Sequence, residues 1–495
     1  MSFKIAFIGA GSIGFTRGLL CDILAVKALR NIEVSFTDIN PQNLEMVRNL
    51  CQRDIDAAGI PITIAATTNR REALTGAKYV INCVRIGGLD AFALDIDIPL
   101  RYGVDQCVGD TICAGGIMYG QRGIACMLDF CKDIREVCQP GAIMLNYANP
   151  NAMMTWAANE FGGVPTLGLC HGVQGGHEQI AHALGYKQEE VDIICAGLNH
   201  QTWYISVKHN GEDLLDKILP AFEADEELSR LEKCRIDVMR RFGYYSTESN
   251  GHLSEYLMWY RKREEDLGNW IDVESSWING QTGGYLRTCT ESRTWFEHDY
   301  PNWLAEAPND LDNRQRSQEH GSYIIEGLET GKVYRGHFNV VNNGAISNLP
   351  DDCIVEVPGY VDGNGISIPA VGDLPMGCAA ICNQTVSVQR MAVHAAVAGD
   401  DTLLRQAMLM DPLVGAVCNP PEVWQMVDEM LVAQAEWLPQ YTQSIDAAKA
   451  RLAKGLPVPV REGYQGAARV HTKTVDEMAE NAKKAREQAG KADKK

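Results

Sequence analysis

The first forty residues alternate short apolar runs with a glycine-rich turn and a helical pattern. Residues 3–8 are apolar except for Lys4 and predict a strand, and residues 9–14 hold three glycines. Residues 15–29 repeat apolar side chains at helical spacing, and a second strand-like run follows at residues 32–37. This order predicts a βαβ unit at the start of the chain.

Further strand-like runs continue the same pattern. They lie at residues 62–66, 79–84, 142–147 and 166–170, with helical stretches between most of them. Strands that alternate with helices are typical of a parallel sheet, because each parallel connection needs a long crossover segment. We therefore predict an α/β fold in which residues 1–195 form a Rossmann-like, doubly wound parallel sheet.

The pattern changes beyond that region. Charged helical segments are predicted at residues 214–241 and 254–266, and residues 354–361 return to strand-like composition. This mixture predicts a second, α+β lobe over residues 196–465. The final residues 466–495 are rich in Ala, Lys and Glu with little apolar periodicity, so a frayed helical or disordered tail is expected there.

Composition narrows the range of partners. The chain has 495 residues, with 45 basic and 64 acidic side chains and a formal net charge of −19 at pH 7. A large negative charge opposes non-specific attraction to nucleic-acid phosphates and to anionic membrane surfaces. We expect a small-molecule substrate, with no nucleic acid and no membrane among the partners.

The N-terminal segment and the cysteines indicate the cellular compartment in which the protein is expected. The opening apolar run is short and ends in glycines, without the longer apolar stretch and cleavage site of a signal peptide. No segment approaches about 18 uninterrupted apolar residues. The sixteen cysteines are scattered singly, without paired CxxC modules. Buried free thiols and a cytoplasmic location are therefore expected.

A dinucleotide-binding pattern lies in the first βαβ unit. Gly9, Gly11 and Gly14 form GxGxxG after a predicted strand and before a predicted helix. Glycines let the backbone approach a pyrophosphate at the helix N-terminus, beside Ser12. Asp38 ends the next predicted strand, where a carboxylate accepts ribose hydroxyls and repels a 2′-phosphate. The pattern predicts NAD rather than NADP; the alternative is an ordinary glycine-rich turn.

Two residues about thirty positions apart predict a metal site. Cys170 follows a predicted strand end, at the edge where open α/β sheets bind ligands. A thiolate can bind a divalent metal, and His200 offers a second ligand. Taken singly, a buried cysteine or histidine is more often structural, so the spacing alone leaves both interpretations open.

Three polar residues are candidates for contacts with a substrate. Asn149 follows another predicted strand, so its amide is expected at the same sheet edge, although Asn-Pro is also a common turn. Tyr244 and Tyr245 offer a possible base, while adjacent tyrosines also serve in packing. The residues alone do not decide between these roles.

Taken in order, these motifs resemble glycoside hydrolase family 4, whose members are known exceptions to catalysis by two carboxylates. The resemblance runs from Phe3 to about residue 440. It is carried by FIGAGS at residues 7–12, IPLRYG at 98–103, GGIMYGQR at 115–122, LNYANP at 145–150, LCHGVQG at 169–175, AGLNH at 196–200 and FGYYSTES at 242–249.

The resemblance implies two cofactors and a reaction that is redox-neutral overall. It implies NAD and a divalent metal, commonly manganese, with Cys170 and His200 as metal ligands and Asn149 as a sugar contact. In this family NAD⁺ takes a hydride from sugar C3, and a base then removes the more acidic C2 proton. The aglycone leaves from C1, water adds back, and the hydride returns.

The resemblance also suggests proton-transfer residues. It places the base in the tyrosine segment, with Tyr245 preferred and Tyr244 as the alternative. His171 stands where some phospho-α-glucosidase relatives carry an aspartate donor. A histidine that titrates near neutrality can donate a proton to a leaving group, while packing and sugar binding are alternative roles for His171.

The substrate class follows from what the chain lacks. Relatives that act on 6-phosphosugars carry an arginine where this chain has residues 90–94, which contain none. The CHG sequence at residues 170–172, with VQG after it, resembles members that act on unphosphorylated α-galactosides or α-hexuronides. The resemblance therefore implies an unphosphorylated α-galactoside first and an α-glucuronide or α-galacturonide second. An NAD-dependent hydroxy-acid dehydrogenase and an NAD-binding regulatory protein are the rival functions. Family resemblance suggests a homodimer or homotetramer.

Overall fold

The computed structural model describes residues 2–492, and side chains as far as residue 485. Within that range, twelve strands belong to one sheet. The strands are β1 Lys4–Ile8, β2 Glu33–Thr37, β3 Ala65–Thr67, β4 Tyr79–Asn82, β5 Ile143–Asn146, β6 Thr166–Gly168, β7 Asp192–Leu198, β8 Gln201–His209, β9 Glu212–Asp213, β10 Tyr334–Val341, β11 Ile354–Asp362 and β12 Gly365–Ser367.

Helices surround this sheet and form most of the rest of the described chain. They are α1 Ile13–Ala25, α2 Pro41–Ala57, α3 Arg70–Leu74, α4 Gly88–Arg101, α5 Cys113–Val137, α6 Asn151–Glu160, α7 Gly172–Ala183, α8 Leu215–Ala224, α9 Glu226–Leu231, α10 Lys233–Phe242, α11 Asn250–Tyr256, α12 Leu267–Trp270, α13 Gly284–Ala305, α14 His320–Thr330, α15 Met376–Ala398, α16 Asp401–Met410, α17 Pro412–Val417, α18 Pro420–Ala433, α19 Thr442–Leu452 and α20 Val475–Ala492.

The strand order confirms the predicted Rossmann-like sheet. The first six strands lie in the order β3-β2-β1-β4-β5-β6 and pair in parallel. This is the order of the doubly wound dinucleotide-binding fold. β4 is buried along its whole length, as expected for a strand covered by helices on both faces. The carboxyl ends of the six parallel strands share one edge of the sheet, and ligands bind at that edge in sheets of this kind.

The strands that continue the sheet come from residues 192–213 and 334–367. β10 pairs antiparallel with β6, β11 with β10, and β7 with β11, followed by β8 and β9. β7 itself spans residue 195, the predicted boundary of the first domain. The sheet is therefore continuous through that point, and the division into residues 1–195 and 196–465 stays a prediction.

Two predicted segments differ from the structure or lie partly outside it. The helix expected at residues 254–266 is wrong, because α11 ends at Tyr256 and only a short 3-10 turn follows at Glu264–Asp266. Buried Arg261 draws the intervening chain inward by donating to the carbonyls of Asp105 and Gly280. In the tail, residues 475–492 are helical, and residues 493–495 lie outside the described part.

The long helix α5 begins in direct contact with the loop before it. A Cβ built on Gly115 would lie 2.5 Å from the carbonyl oxygen of Gly109, and one on Gly116 would lie 2.4 Å from the carbonyl carbon of Thr111. Glycines therefore let the first turn of α5 pack against residues 105–112. This close packing fixes a loop that reaches the candidate site.

A buried ion pair joins α4 to α5. The Arg122 guanidinium donates to both carboxylate oxygens of Asp95, at 2.9 and 2.6 Å, and both side chains are 1% exposed. Gln434 contacts both partners.

Among the described residues, no helix is long and apolar enough to cross a membrane.

Replacement of Asp95 by asparagine should destabilise the protein strongly. It leaves the buried Arg122 charge without its bidentate partner, a change that costs about 3–5 kcal/mol in comparable sites. Denaturant unfolding measures the loss. Glu297→Gln, which breaks an exposed pair with Arg293, should change stability by less than about 1 kcal/mol. Equal losses in the two variants would contradict this account.

Candidate active site

The glycine-rich loop joins β1 to α1 as the sequence predicts. The backbone N–H groups of Gly9 and Ala10 both donate to the Thr37 carbonyl at 3.0 Å, which ties the loop to the end of β2. Ser12 precedes α1, and its side chain makes no capping hydrogen bond. Since the first N–H groups of a helix need acceptors, this N-terminus could hold an anionic group such as a pyrophosphate.

Asp38 is held rigidly beside the same loop. Its Oδ2 accepts the Gly11 N–H at 2.8 Å, and its Oδ1 accepts the Asn40 N–H at 2.8 Å. A Cβ on Gly11 would lie 2.8 Å from Asp38 Oδ2, so a glycine is required there, whereas a Cβ on Gly14 would meet nothing within 4 Å. The carboxylate is oriented for hydroxyl groups, as ribose recognition requires.

Three potential metal ligands meet at the neighbouring part of the sheet edge. Ligand atoms of Cys170, His200 and Glu248 all lie within 4.8 Å of one another. Glu248 Oε2 is 3.8 Å from the Cys170 Sγ and 4.0 Å from the His200 Nε2. A thiol, an imidazole and a carboxylate at these separations could hold one divalent metal ion.

Local backbone geometry brings these three side chains together. Cys170 lies just past β6, and His200 lies in the turn between β7 and β8 with a left-handed φ of 62°. Glu248 lies between α10 and α11 with φ of 75°. A Cβ on Gly172 would lie 1.9 Å from Glu248 Oε2, so this glycine makes room for the carboxylate.

The charges of the cluster differ before any ion binds. Burial and the nearby Glu248 carboxylate raise the pKa of the Cys170 thiol well above its usual value. Burial also favours the neutral form of Glu248, but His200 and His252 outweigh it and lower the pKa of Glu248 to about 2. The carboxylate is therefore ionised, whereas the thiol must lose a proton when it binds a metal.

The other ring nitrogen of His200 is fixed by two hydroxyls. Its Nδ1 lies 3.0 Å from Thr111 Oγ1 and 3.1 Å from Tyr256 Oη. We assign the proton to Nδ1, because the Thr111 hydroxyl donates to Asp110 and its oxygen then accepts from the imidazole. The Nε2 lone pair is thereby directed to the cluster, the arrangement that metal-binding histidines require.

Asp110 connects the cluster to Asn149, the predicted sugar contact. One carboxylate oxygen accepts the Thr111 hydroxyl at 3.1 Å. The other accepts the Asn149 amide at 3.2 Å and the Arg85 guanidinium at 3.1 Å. Asp110 is fully buried, whereas Asn149 is half-buried. A polar network therefore runs from Asn149 to His200 along the edge of the sheet.

Arg85 is enclosed by aromatic rings as well as paired with Asp110. Its guanidinium carbon lies 4.4, 5.1 and 5.3 Å from the ring centroids of Phe92, Tyr119 and Tyr285. Such cation–π contacts and the ion pair hold the guanidinium in place. The charge of Arg85 is therefore compensated within the protein.

His171 lies at the start of α7 and is paired with a carboxylate. Its Nδ1 lies 3.0 Å from Glu319 Oε1, and its side chain is 59% exposed. The hydrogen bond that His171 donates to the Glu319 carboxylate raises the pKa of His171 to about 9. The imidazole is therefore protonated at neutral pH and has a proton to donate.

The structure places a third tyrosine, Tyr256, in contact with His200, beside the two that the sequence suggested as the base. Tyr245 is fully buried, and its hydroxyl donates to Gln179 at 2.9 Å. Tyr244 is half-buried against the main hydrophobic core. Burial raises the pKa of both the Tyr245 and the Tyr256 hydroxyl. The direction of the pKa shift therefore does not distinguish the two tyrosines, but their contacts do. Tyr256 contacts His200, and the contacts described for Tyr245 do not include the cluster.

Several residues of the site were not assigned by sequence reasoning. Glu248 lay within a quoted motif without a role, and Tyr256 lay in a segment mistaken for the start of a longer helix. Asp110 and Thr111 followed no strand and carried no recognised spacing. The positions of these four residues depend on contacts between distant segments of the chain. The only sequence signal for them was the presence of polar residues in those segments.

The fold and this arrangement define an α/β enzyme class with a Rossmann-type loop next to a thiol–imidazole–carboxylate cluster. A family model described as "Family 4 glycosyl hydrolase" matches residues 4–186, and one described as "Family 4 glycosyl hydrolase C-terminal domain" matches residues 195–414. The chain belongs to family 4 of the glycosyl hydrolases.

Individual relatives agree with this assignment. The chain is 60% identical to an alpha-galactosidase of Rhizobium meliloti (strain 1021), over 96% of this chain and 97% of the relative. It is 33% identical to an alpha-galactosidase of Bacillus subtilis (strain 168), over 88% and 99%. A solved putative glucosidase from Bacillus subtilis has a TM-score of 0.76 at 25% identity, covering 87% of this chain and 100% of that one.

Replacement of Gly172 by alanine should destabilise the protein, because the added methyl group collides with the Glu248 carboxylate. Overpacking of this kind costs about 1–3 kcal/mol, measurable by denaturant unfolding. Gly175→Ala is the matched control in the same helix, since nothing lies within 4 Å of its Cβ. That change should be neutral or stabilising by up to about 1 kcal/mol. A neutral Gly172→Ala would show that the carboxylate does not need this space.

Proposed function

We propose that this protein is an α-galactosidase that needs NAD and a divalent cation, with manganese as first choice. The observation that carries the proposal is the meeting of Cys170, His200 and Asn149 in one network at the sheet edge. The 60% identity to a curated alpha-galactosidase over almost the whole chain supports the choice of an α-galactoside.

The residues present fit both cofactors. The uncapped start of α1, with Gly9, Gly11, Ser12 and Gly14, suits the pyrophosphate of NAD, and the anchored Asp38 carboxylate suits its ribose. Cys170 and His200 would hold the metal. When bound, NAD⁺ supplies a hydride acceptor and the cation supplies a Lewis acid.

Residues of the chain itself would handle the proton transfers. Asn149, oriented by Asp110, binds a sugar hydroxyl. Tyr256 is the proposed base that removes the C2 proton, because its hydroxyl is held beside the metal ligand His200. Tyr245 and Tyr244 become the less favoured choices. His171, protonated through its pairing with Glu319, donates a proton to the leaving group.

The charges of the site favour a neutral sugar over a hexuronide. A substrate carboxylate would call for a free cationic side chain, but Arg85 is paired with Asp110 and His171 with Glu319. Phe92 lies under Arg85 within residues 90–94, the segment that lacks a phosphate-binding arginine. An α-glucuronidase or α-galacturonidase activity is therefore second to an α-galactosidase activity.

Family membership argues against a hydroxy-acid dehydrogenase and against an NAD-binding regulatory protein. We also propose a cytoplasmic location. Its support is that all sixteen cysteines, which lie within the described residues, are free thiols, and eleven of them are buried. The homodimer or homotetramer suggested by the family stays a prediction.

Hydrolysis of nitrophenyl α-galactoside tests the function directly. The purified protein should cleave it only when NAD⁺, Mn²⁺ and a thiol reductant are present, and NADH should not accumulate, because the hydride returns to the sugar. Nitrophenyl α-glucuronide and α-galacturonide should be poor substrates. Cleavage without NAD⁺, or steady NADH production from a hydroxy acid, would overturn the proposal.

Paired tyrosine variants test the base. Tyr256→Phe should lower kcat by about 100-fold or more, within the range of general base catalysis, with little change in protein stability. Tyr245→Phe should keep kcat within a few-fold of the wild type, since its hydroxyl contacts Gln179 instead. Exchange of the substrate C2 deuteron, followed by NMR, should disappear only in Tyr256→Phe. The reverse pattern would restore Tyr245 as the base.

Asp38 variants test the nucleotide site. Asp38→Ser removes a charged hydrogen-bond acceptor worth about 1.5–3 kcal/mol, so the Kd for NAD⁺ should rise roughly tenfold or more. Calorimetric titration of NAD⁺ measures this change. Glu45→Gln, an exposed carboxylate of α2, is the control and should bind NAD⁺ as the wild type does. Unchanged NAD⁺ affinity in Asp38→Ser would remove the assignment.

A further inference from the structure

Glu248 is a buried carboxylate beside the two proposed metal ligands, and the proposed function gives it no role. We propose that Glu248 is a third protein ligand of the divalent cation held by Cys170 and His200. This inference rests on the metal site of the proposed function and adds to it a ligand and a coordination geometry.

The first argument is position. Glu248 Oε2 is the oxygen nearest both partners, 3.8 Å from Cys170 Sγ and 4.0 Å from His200 Nε2. Metal–ligand bonds to sulfur, nitrogen and oxygen are about 2.0–2.3 Å long. Ligand atoms that lie within 4.8 Å of one another therefore reach a single ion after side-chain adjustments of a few tenths of an ångström or more.

The second argument is charge. The Glu248 side chain is 13% exposed, and in the part of the chain that the structure describes no lysine or arginine forms an ion pair with it. Asp95 and Asp105, two other buried carboxylates, are paired with arginine, and Glu255 instead accepts three backbone N–H groups. A buried charge needs a partner of opposite charge or a metal ion. A divalent cation meets that need for Glu248.

The third argument is the backbone conformation at Glu248 and the contacts that hold it. Glu248 has a left-handed φ of 75°, which a non-glycine residue adopts only when its neighbours impose it. Here the Thr247 N–H donates to the Thr202 carbonyl at 2.9 Å, and the Ser249 hydroxyl accepts the His252 N–H at 3.2 Å as a helix cap. Gly172 leaves the space that the carboxylate enters. The chain therefore holds Glu248 against the cluster from both sides.

A third ligand changes the chemistry of the site. One sulfur, one nitrogen and one carboxylate oxygen form an incomplete shell with positions left for oxygen atoms of a sugar. Carboxylate oxygen is a ligand that suits Mn²⁺, whereas thiolate favours softer ions. Glu248 therefore shifts the preference of the site towards manganese and neutralises part of its charge.

Metal titration of the full-length protein tests the proposal without substrate or NAD. After the metal is removed with a chelator, binding of Mn²⁺ is followed by the EPR signal of the free ion. Glu248→Gln should raise the Kd for Mn²⁺ by tenfold or more. Glu319→Gln is the control, because it removes an equal charge from the neighbouring pair with His171 but no ligand, and its Kd should stay within twofold of the wild type.

Absorption of the Co²⁺-loaded protein separates a ligand from a neighbouring charge. The ligand-field bands should change shape in Glu248→Gln and stay unchanged in Glu319→Gln. Gly172→Ala, which keeps the carboxylate but displaces it, should reproduce the change if the Gln variant does not fold. Wild-type bands and Kd in folded Glu248→Gln would overturn the proposal.

Absorption of the Co²⁺-loaded protein also distinguishes a failure of the proposed metal site from a failure of the proposed third ligand. Wild-type protein should show a thiolate-to-Co²⁺ charge-transfer band that Cys170→Ser lacks. Absence of that band in the wild type would remove the proposed metal site as a whole, whereas its presence together with an unaltered Glu248→Gln spectrum would remove only the third ligand.

Discussion

The geometry of the site depends on one buried carboxylate that binds no ligand. Glu255 accepts the backbone N–H groups of Cys107, Val108 and Gly109 at 2.7, 3.0 and 3.1 Å. Burial raises the pKa of Glu255 to about 7, although these three donors oppose the rise. Because Thr111 follows that loop and Tyr256 follows Glu255, the same contact positions both hydroxyls at His200. Two segments separated by almost 150 residues along the chain thus act as one support.

The two cationic side chains nearest the site are each paired with a carboxylate. Arg85 is matched by Asp110 and His171 by Glu319, so neither cation is available to an anionic sugar. Glu248 forms no ion pair with a lysine or arginine among the described side chains, and its nearest basic partner is the imidazole of His200 at 4.0 Å. This distribution of charge supports the proposal that the site takes a divalent cation together with an uncharged sugar.

The sequence predicted the parts of the molecule that local pattern controls. The parallel strands were found because their apolar runs alternate with helices, and Cys170 was found because it follows a strand end within a family motif. The sequence suggested Tyr245 and Tyr244 and did not single out Tyr256, because the contacts of Tyr256 with His200 and of Tyr245 with Gln179 join segments that are far apart in the chain. Neither contact can be recognised from the spacing of residues in the sequence. The helix predicted at residues 254–266 also excluded the turn that the contacts of Arg261 stabilise.

The path of the sheet has a consequence for how the chain is made. β6 and β7 are consecutive along the chain, yet β10 and β11 lie between them in the sheet. During synthesis the free edge of β6 therefore waits, without its hydrogen-bonding neighbour, until residues 334–362 have left the ribosome. An exposed strand edge is a template for wrong pairing. A truncated version that ends before β10 leaves this edge of β6 open and is therefore expected to aggregate.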